Sequence, residues 1–152
     1  MSLVSRPRLR SPWVTVGLVV LAVPNLVAGL WGMFAPRNWF DDFPGWAPRL
    51  VAALPPYNEH LATDAASGLF AAGVVAAIAV WWRRRDVVLV AMAGYLAFAL
   101  PHALFHLAHP ADALTTGEDA LNTSSLWGAV VVAGLVTAVA WKDPGPDAPG
   151  SR

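Results

Sequence analysis

Cysteine is absent from this chain of 152 residues. Its absence excludes disulfide bonds, thiol redox chemistry, cysteine nucleophiles and zinc sites of the cysteine type. Any metal site in the protein must therefore be built from imidazole, carboxylate or other oxygen ligands.

Charge is also scarce. Charged residues make up 13% of the chain, against roughly 25% in an ordinary soluble domain, and ten basic residues balance ten acidic ones. This composition excludes a basic nucleic-acid-binding protein and a disordered chain. Hydrophobic residues make up 57% and the mean hydropathy is +0.51. The sequence therefore predicts an integral membrane protein with the lipid bilayer as its first partner.

Four apolar segments are each long enough to cross roughly 30 Å of hydrocarbon at 1.5 Å per residue. Backbone groups in lipid must be bonded within the segment, so the segments are expected to be helices. The predicted fold is an all-α integral membrane protein with four transmembrane helices in an up-down-up-down bundle. The predicted membrane domain covers 12–142, with helices at about 13–34, 60–82, 87–109 and 125–141.

The remaining segments are assigned to the two sides of the membrane. Residues 1–11 form a basic amino terminus, and the Pro/Gly-rich residues 143–152 are expected to be a disordered tail. The outer loops are expected at 35–59 and 110–124. Within the first of them, Trp46 to Leu54 is a candidate for a short interfacial helix.

The first apolar segment has a basic start, as a secretory signal peptide does. Its apolar run of about 22 residues is longer than the roughly 7–15 residues of a signal sequence, and no small-residue cleavage site follows it. A retained transmembrane helix is therefore the favoured interpretation, with a cleaved signal as the alternative.

Basic residues predict the orientation of the bundle. Eight of the ten lie on the side of both termini and of the turn between the second and third helices, and only Arg37 and Arg49 lie on the other side. The positive-inside rule then places both termini in the cytoplasm of a multi-pass cell-membrane protein. Small residues recur at Gly68, Ala72 and Ala76 and indicate close helix packing; a homo-oligomer is left open.

All four histidines fall at the predicted outer ends of the second and third helices. His102, His106 and His109 follow the spacing i, i+4, i+7, which places them on one helix face. On the second helix His60 and Asp64 are spaced i, i+4. The two helices form a hairpin, so the two polar faces would converge if they point at each other.

Imidazole and carboxylate ligands in this number suit Zn(II), Fe(II), Mn(II) or Cu(II). The first hypothesis is therefore a metal site facing the extracytoplasmic side, with His60, Asp64, His102, His106 and His109 as candidate ligands. The protein would be either a metal-dependent membrane enzyme, with Glu59 or Tyr95 handling protons, or a metal-handling protein.

Two other functions remain open. Two histidines on different helices could bind a b-type haem, although the nearby carboxylates disfavour its anionic propionates. Alternatively, the histidines of a non-catalytic scaffold or partner subunit could form salt bridges or respond to pH. Two further polar residues have structural interpretations. Asn58 is expected to cap the second helix, and Asn25 is expected to form an interhelical hydrogen bond, with the floor of the histidine pocket as its alternative role.

Overall fold

The protein is a bundle of transmembrane helices. The computed structural model describes residues 8–143. The helices are α1 (Pro12–Phe34), α2 (Pro36–Asp42), α3 (Glu59–Trp82), α4 (Arg85–Ala108) and α5 (Thr116–Lys142). All but α2 are long and apolar enough to cross a membrane. The predicted four-helix membrane bundle is thus confirmed; the tail beyond residue 143, predicted to be disordered, lies outside the described residues.

The four long helices form a closed ring. α1 packs against α3 and α5, and α4 packs against the same two helices, so α1 and α4 lie diagonally opposite across the bundle. Sequential neighbours run antiparallel. The backbone N–H of Leu9, just before α1, donates to the carbonyl of Arg83 just after α3, and Arg85 at the start of α4 lies over the ring of Trp141 at the end of α5.

The closest packing joins α1 and α3. A Cβ atom on Gly29 would lie 2.5 Å from the backbone nitrogen of Phe70, and one on Gly73 would lie 2.8 Å from that of Leu26. The two backbones approach this closely because neither glycine has a side chain. Apolar side chains inside a bilayer are already out of water, so the hydrophobic effect does not drive helices together there. Close packing of the helices is instead a main source of their association in lipid.

One end of the bundle, here called the basic end, carries six cations within the described chain: Arg8, Arg10, Arg83, Arg84, Arg85 and Lys142. Asp143 accepts hydrogen bonds from the backbone N–H groups of Arg10 and Ser11 and so ties the end of α5 to the start of α1. The opposite end, here called the histidine end, carries the candidate site. The remaining predicted cations of the basic side, Arg6 and Arg152, lie outside the described residues.

The first loop of the histidine end contains a short helix, but at a different position from the predicted one. Residues 46–54, the predicted interfacial helix, form bends and turns, and the short helix is instead α2. Pro36 starts α2 because its fixed φ suits a first helical position. Trp39 of α2 is buried against Gly32 of α1 and also contacts the ring of Phe43. The loop therefore closes the bundle over α1 and α3 with aromatic side chains.

The second loop is shorter than predicted, because α5 begins at Thr116 and not near residue 125. A capping box starts the helix: Thr115 accepts from the backbone N–H of Glu118, and the Glu118 carboxylate accepts from the backbone N–H of Thr115. The polar composition of 116–124 predicts a loop, but two satisfied terminal N–H groups allow a polar first turn to be helical. The extension places Asp119 on a helix.

Candidate histidine site

His60 and Asp64 form a pair on the first turns of α3. Their side chains are 3.3 Å apart, between Nε2 of His60 and Oδ2 of Asp64, and are 82% and 62% exposed. Asn58 caps the helix by accepting from the backbone N–H of Leu61, as the sequence predicts. The pair is therefore well positioned on its own helix, but it faces outward from the bundle.

His102 and His106 form a second pair, one turn apart on α4. Their ring centroids are 4.8 Å apart in an edge-to-face arrangement, and both side chains are half-buried. His102 also stacks on Phe98, at 5.6 Å between centroids, and the Phe98 ring packs over Gly68 of α3. This packing restrains the His102 ring from the α3 side, so the two imidazoles are held together below the end of the helix.

His109 does not join that pair. α4 ends at Ala108, and His109 is the residue that caps it. Its ring stacks on Phe105 at 4.4 Å, and its Nδ1 lies 3.0 Å from the carbonyl oxygen of Phe105. The side chain is thus turned back onto its own helix at the exposed end.

Asp119 of α5 is a carboxylate in electrostatic range of the α4 pair. It interacts electrostatically with His106, and it accepts a hydrogen bond from the backbone N–H of Ala111, which fixes the chain between α4 and α5. The same antiparallel pairing of α4 and α5 brings Arg85 to Trp141 at the basic end. The carboxylate that interacts with the half-buried pair, through His106, therefore comes from α5.

Thr123 lies one turn deeper than Asp119 on α5. On the antiparallel helix α4, His102 lies one turn deeper than His106. Thr123 and His102 therefore lie at similar depth in the bundle. The Thr123 hydroxyl is buried and has no hydrogen-bond partner among the described residues. Thr137 on the same helix instead donates to the carbonyl of Ala133 four residues back. A buried hydroxyl without a partner indicates a place for water or another ligand.

The five predicted ligands therefore lie at three places: the exposed pair His60–Asp64 on α3, the half-buried pair His102–His106 on α4, and His109 at the end of α4. Across residues 8–143, no group of three or more histidine, aspartate or glutamate side chains has a geometry that could hold a metal ion. The predicted meeting of the α3 and α4 polar faces is not assembled in this structure. The pairs His60–Asp64 and His102–His106 are formed separately, and His106 of the second pair interacts electrostatically with Asp119.

Neither candidate for proton handling reaches the α4 pair. Glu59 is exposed at the first position of α3. Tyr95 is 2% exposed, and its hydroxyl accepts a hydrogen bond of 3.0 Å from the side-chain amide of Asn25. Asn25 thus makes the interhelical hydrogen bond expected of it, and Tyr95 contributes to the core between α1 and α4.

The sequence does not predict Asp119 and Thr123 as site residues, because the polar composition of 110–124 predicts a loop there. The signal was present in the sequence: Thr115 is followed three residues later by Glu118, the spacing of a capping box. With it, α5 extends far enough to bring a carboxylate to the histidines. The site therefore contains two imidazoles and one carboxylate, and the buried Thr123 hydroxyl has no hydrogen-bond partner among the described residues. No protein-family model, curated protein or solved structure matches this chain.

Proposed function

We propose that this membrane protein binds a divalent transition metal at its histidine end, with His102 and His106 as imidazole ligands and Asp119 as the carboxylate ligand. The observation that carries the proposal is the adjacent, half-buried pair of imidazoles, with the Asp119 carboxylate of α5 in electrostatic range of His106. The reduced set replaces the five ligands expected from the sequence.

The position of the pair supports a binding role. Ionisable side chains within membrane helices are costly to bury and usually mark a site. A plain structural role would satisfy each group, as the hydrogen bond from His109 to Phe105 and the ion pair of His60 do. The Thr123 hydroxyl, at a depth similar to that of His102, is buried and has no hydrogen-bond partner among the described residues. Two histidines and one carboxylate leave positions for water, which suits Zn(II), Fe(II) or Mn(II).

The proposal assigns the site to the extracytoplasmic side. Its support is the distribution of cations, six at the basic end of the described chain against Arg37 and Arg49 at the histidine end. A metal there would be collected from outside the cell. Metal handling is proposed in preference to catalysis, because Tyr95 is committed to Asn25 and Glu59 lies on another exposed face.

The haem alternative has less support from this arrangement. Axial ligands must approach the iron from opposite sides of the macrocycle, which two histidines one turn apart on a single helix cannot do. The other histidine helix presents His60 on an exposed face. An absorption spectrum of the purified protein tests this alternative directly.

The decisive experiment is metal analysis of the full chain, purified in detergent without a histidine tag, beside the variants His102→Ala and His106→Ala. We expect near-stoichiometric binding of Zn²⁺ or Mn²⁺ by the wild type. Each variant should lose at least the roughly 10–100-fold in affinity that loss of an outer-shell partner typically causes, because it removes a direct ligand.

His60→Ala is the matched control. It also removes a histidine spaced i, i+4 from its polar partner, but from the exposed α3 pair, and should leave metal binding unchanged. A wild type that takes up no added metal would overturn the proposal and leave a pH-responsive histidine pair as the interpretation. Loss of binding in His60→Ala but not in His102→Ala would move the site to α3.

A further inference from the structure

An apolar groove runs between α1 and α5 in the half of the bundle near the basic end. Its volume is about 340 Å³. Buried Val14 and Val136 form its floor, and the exposed side chains of Val16, Val20 and Leu135 form its rim. The groove exists because the two helices touch through Gly17, where a Cβ atom would collide with Val136.

This groove opens toward the hydrocarbon of the membrane. Its rim residues are apolar and exposed on helices that are long enough to span, so lipid chains are the surroundings of the groove. If the groove were empty, the side chains that line it would lose dispersion contacts on that side. Water is not a suitable occupant, because the lining offers it no polar partner. An extended acyl chain is apolar, as the side chains that line the groove are.

Positive charge lies at the mouth of the groove. Lys142 follows Val139 by three residues and Leu135 by seven, so it continues the groove-lining face of α5 to the membrane boundary. Arg10 precedes Trp13, which lines the same end of the groove from α1. Asp143 is also present but is bound to the backbone N–H groups of Arg10 and Ser11. The basic end as a whole has six cations against the two carboxylates of Asp86 and Asp143.

The geometry points to a binding site for one anionic phospholipid of the leaflet at the basic end. One acyl chain lies in the α1–α5 groove, and the headgroup phosphate lies beside Lys142 at its mouth. Basic positions between membrane helices near one surface recognise anionic headgroups in this way. Exposed Trp13 lies at the same boundary, where its ring prefers the interface between headgroups and hydrocarbon.

The test uses native mass spectrometry of the full chain in detergent, titrated with phosphatidylglycerol or with phosphatidylcholine of the same chains. We expect one tightly retained phosphatidylglycerol and weaker retention of phosphatidylcholine. Lys142→Gln should weaken phosphatidylglycerol binding about fivefold, the effect of one cation near a membrane surface, and leave phosphatidylcholine binding unchanged. Val16→Trp, which fills the groove from the α1 side, should abolish retention of both lipids.

Two controls keep the result specific. Arg49→Gln removes a cation at the histidine end, and Val90→Trp adds the same bulk at a 75% exposed position on α4, so neither should change retention. Leu135→Trp repeats the filling from the α5 wall in case Val16→Trp does not fold. Equal affinity for both lipids, or unchanged retention in the filled variants, would overturn the proposal. So would a dimer of the chain that the filled variants dissociate, because a second copy would then occupy the groove.

Discussion

Asn25 and Tyr95 join the two helices that lie diagonally across the bundle. The Asn25 side-chain amide donates to the Tyr95 hydroxyl at 3.0 Å and to the carbonyl of Leu21 at 2.9 Å. α1 and α4 are otherwise separated by their neighbours, so this side-chain hydrogen bond spans the centre of the core. The hydrogen bond restrains the rotation of α4, and with it the direction in which His102 and His106, two and three turns further along α4, point.

Tyr95→Phe removes the acceptor and should lower the free energy of unfolding by about 0.6 kcal/mol, with an upper bound of about 1.7 kcal/mol, the range of interhelical hydrogen bonds in membranes. The loss is modest because Asn25 keeps its bond to Leu21. Unfolding in mixed micelles measures it. Tyr57→Phe is the matched control: its ring contacts with Arg37 and Phe40 remain, so stability should not change. Equal stability of Tyr95→Phe and the wild type would contradict a role for the bond in the core.

Substitution by alanine should have opposite effects on the stability of the protein at Gly29 and at Gly128. Gly29→Ala places a Cβ atom 2.5 Å from the backbone of Phe70, which cannot move without shifting α3. We expect a loss of about 1–3 kcal/mol from overpacking. Gly128→Ala meets nothing within 4 Å and should be neutral or stabilising, because alanine favours a helix by about 1 kcal/mol over glycine. Thermal unfolding of both variants in one detergent checks the difference, and a Gly29→Ala protein as stable as Gly128→Ala would show that α1 and α3 are further apart.

Hydropathy predicts the four spans well, because segment length and the need to bond the backbone in lipid depend on composition alone. Helix rotation is a different matter. Which face of α3 points inward depends on contacts such as Gly73 with Leu26, and these follow from the shapes of both helices. The sequence therefore predicts correctly that His60 and Asp64 form one pair and that His102 and His106 share a helix face. It does not predict that the two pairs stay apart.

The boundary of α5 shows a second limit. Polar residues after Thr115 have the composition of a loop, and hydropathy alone ends the span near residue 125. Only the capping box of Thr115 and Glu118 marks the true start. Asp119 was missed for this reason, although its distance along the chain from the last histidine is short.

Asp119→Asn tests the revised ligand set, because it keeps the size of the side chain and its amide oxygen can still accept from Ala111. Loss of the negative charge should weaken metal binding by at least about tenfold, in the range of removing a polar partner of a metal site. Isothermal titration of the detergent-purified protein with Zn²⁺ measures the change. Asp64→Asn alters the exposed α3 pair instead and should bind as the wild type does; the reverse order of the two variants would assign the carboxylate to α3.

The membrane orientation can be tested without removing any native thiol, because the chain has no cysteine. Asp112→Cys places a thiol at an exposed position of the histidine end, and Lys142→Cys places one at the basic end. The excess of cations at the basic end predicts that it faces the cytoplasm. A membrane-impermeant maleimide added to intact cells should therefore label Asp112→Cys at once and Lys142→Cys only after permeabilisation. Labelling in the opposite order would turn the histidine pair toward the cytoplasm, where the proposed site would draw its metal from the intracellular pool.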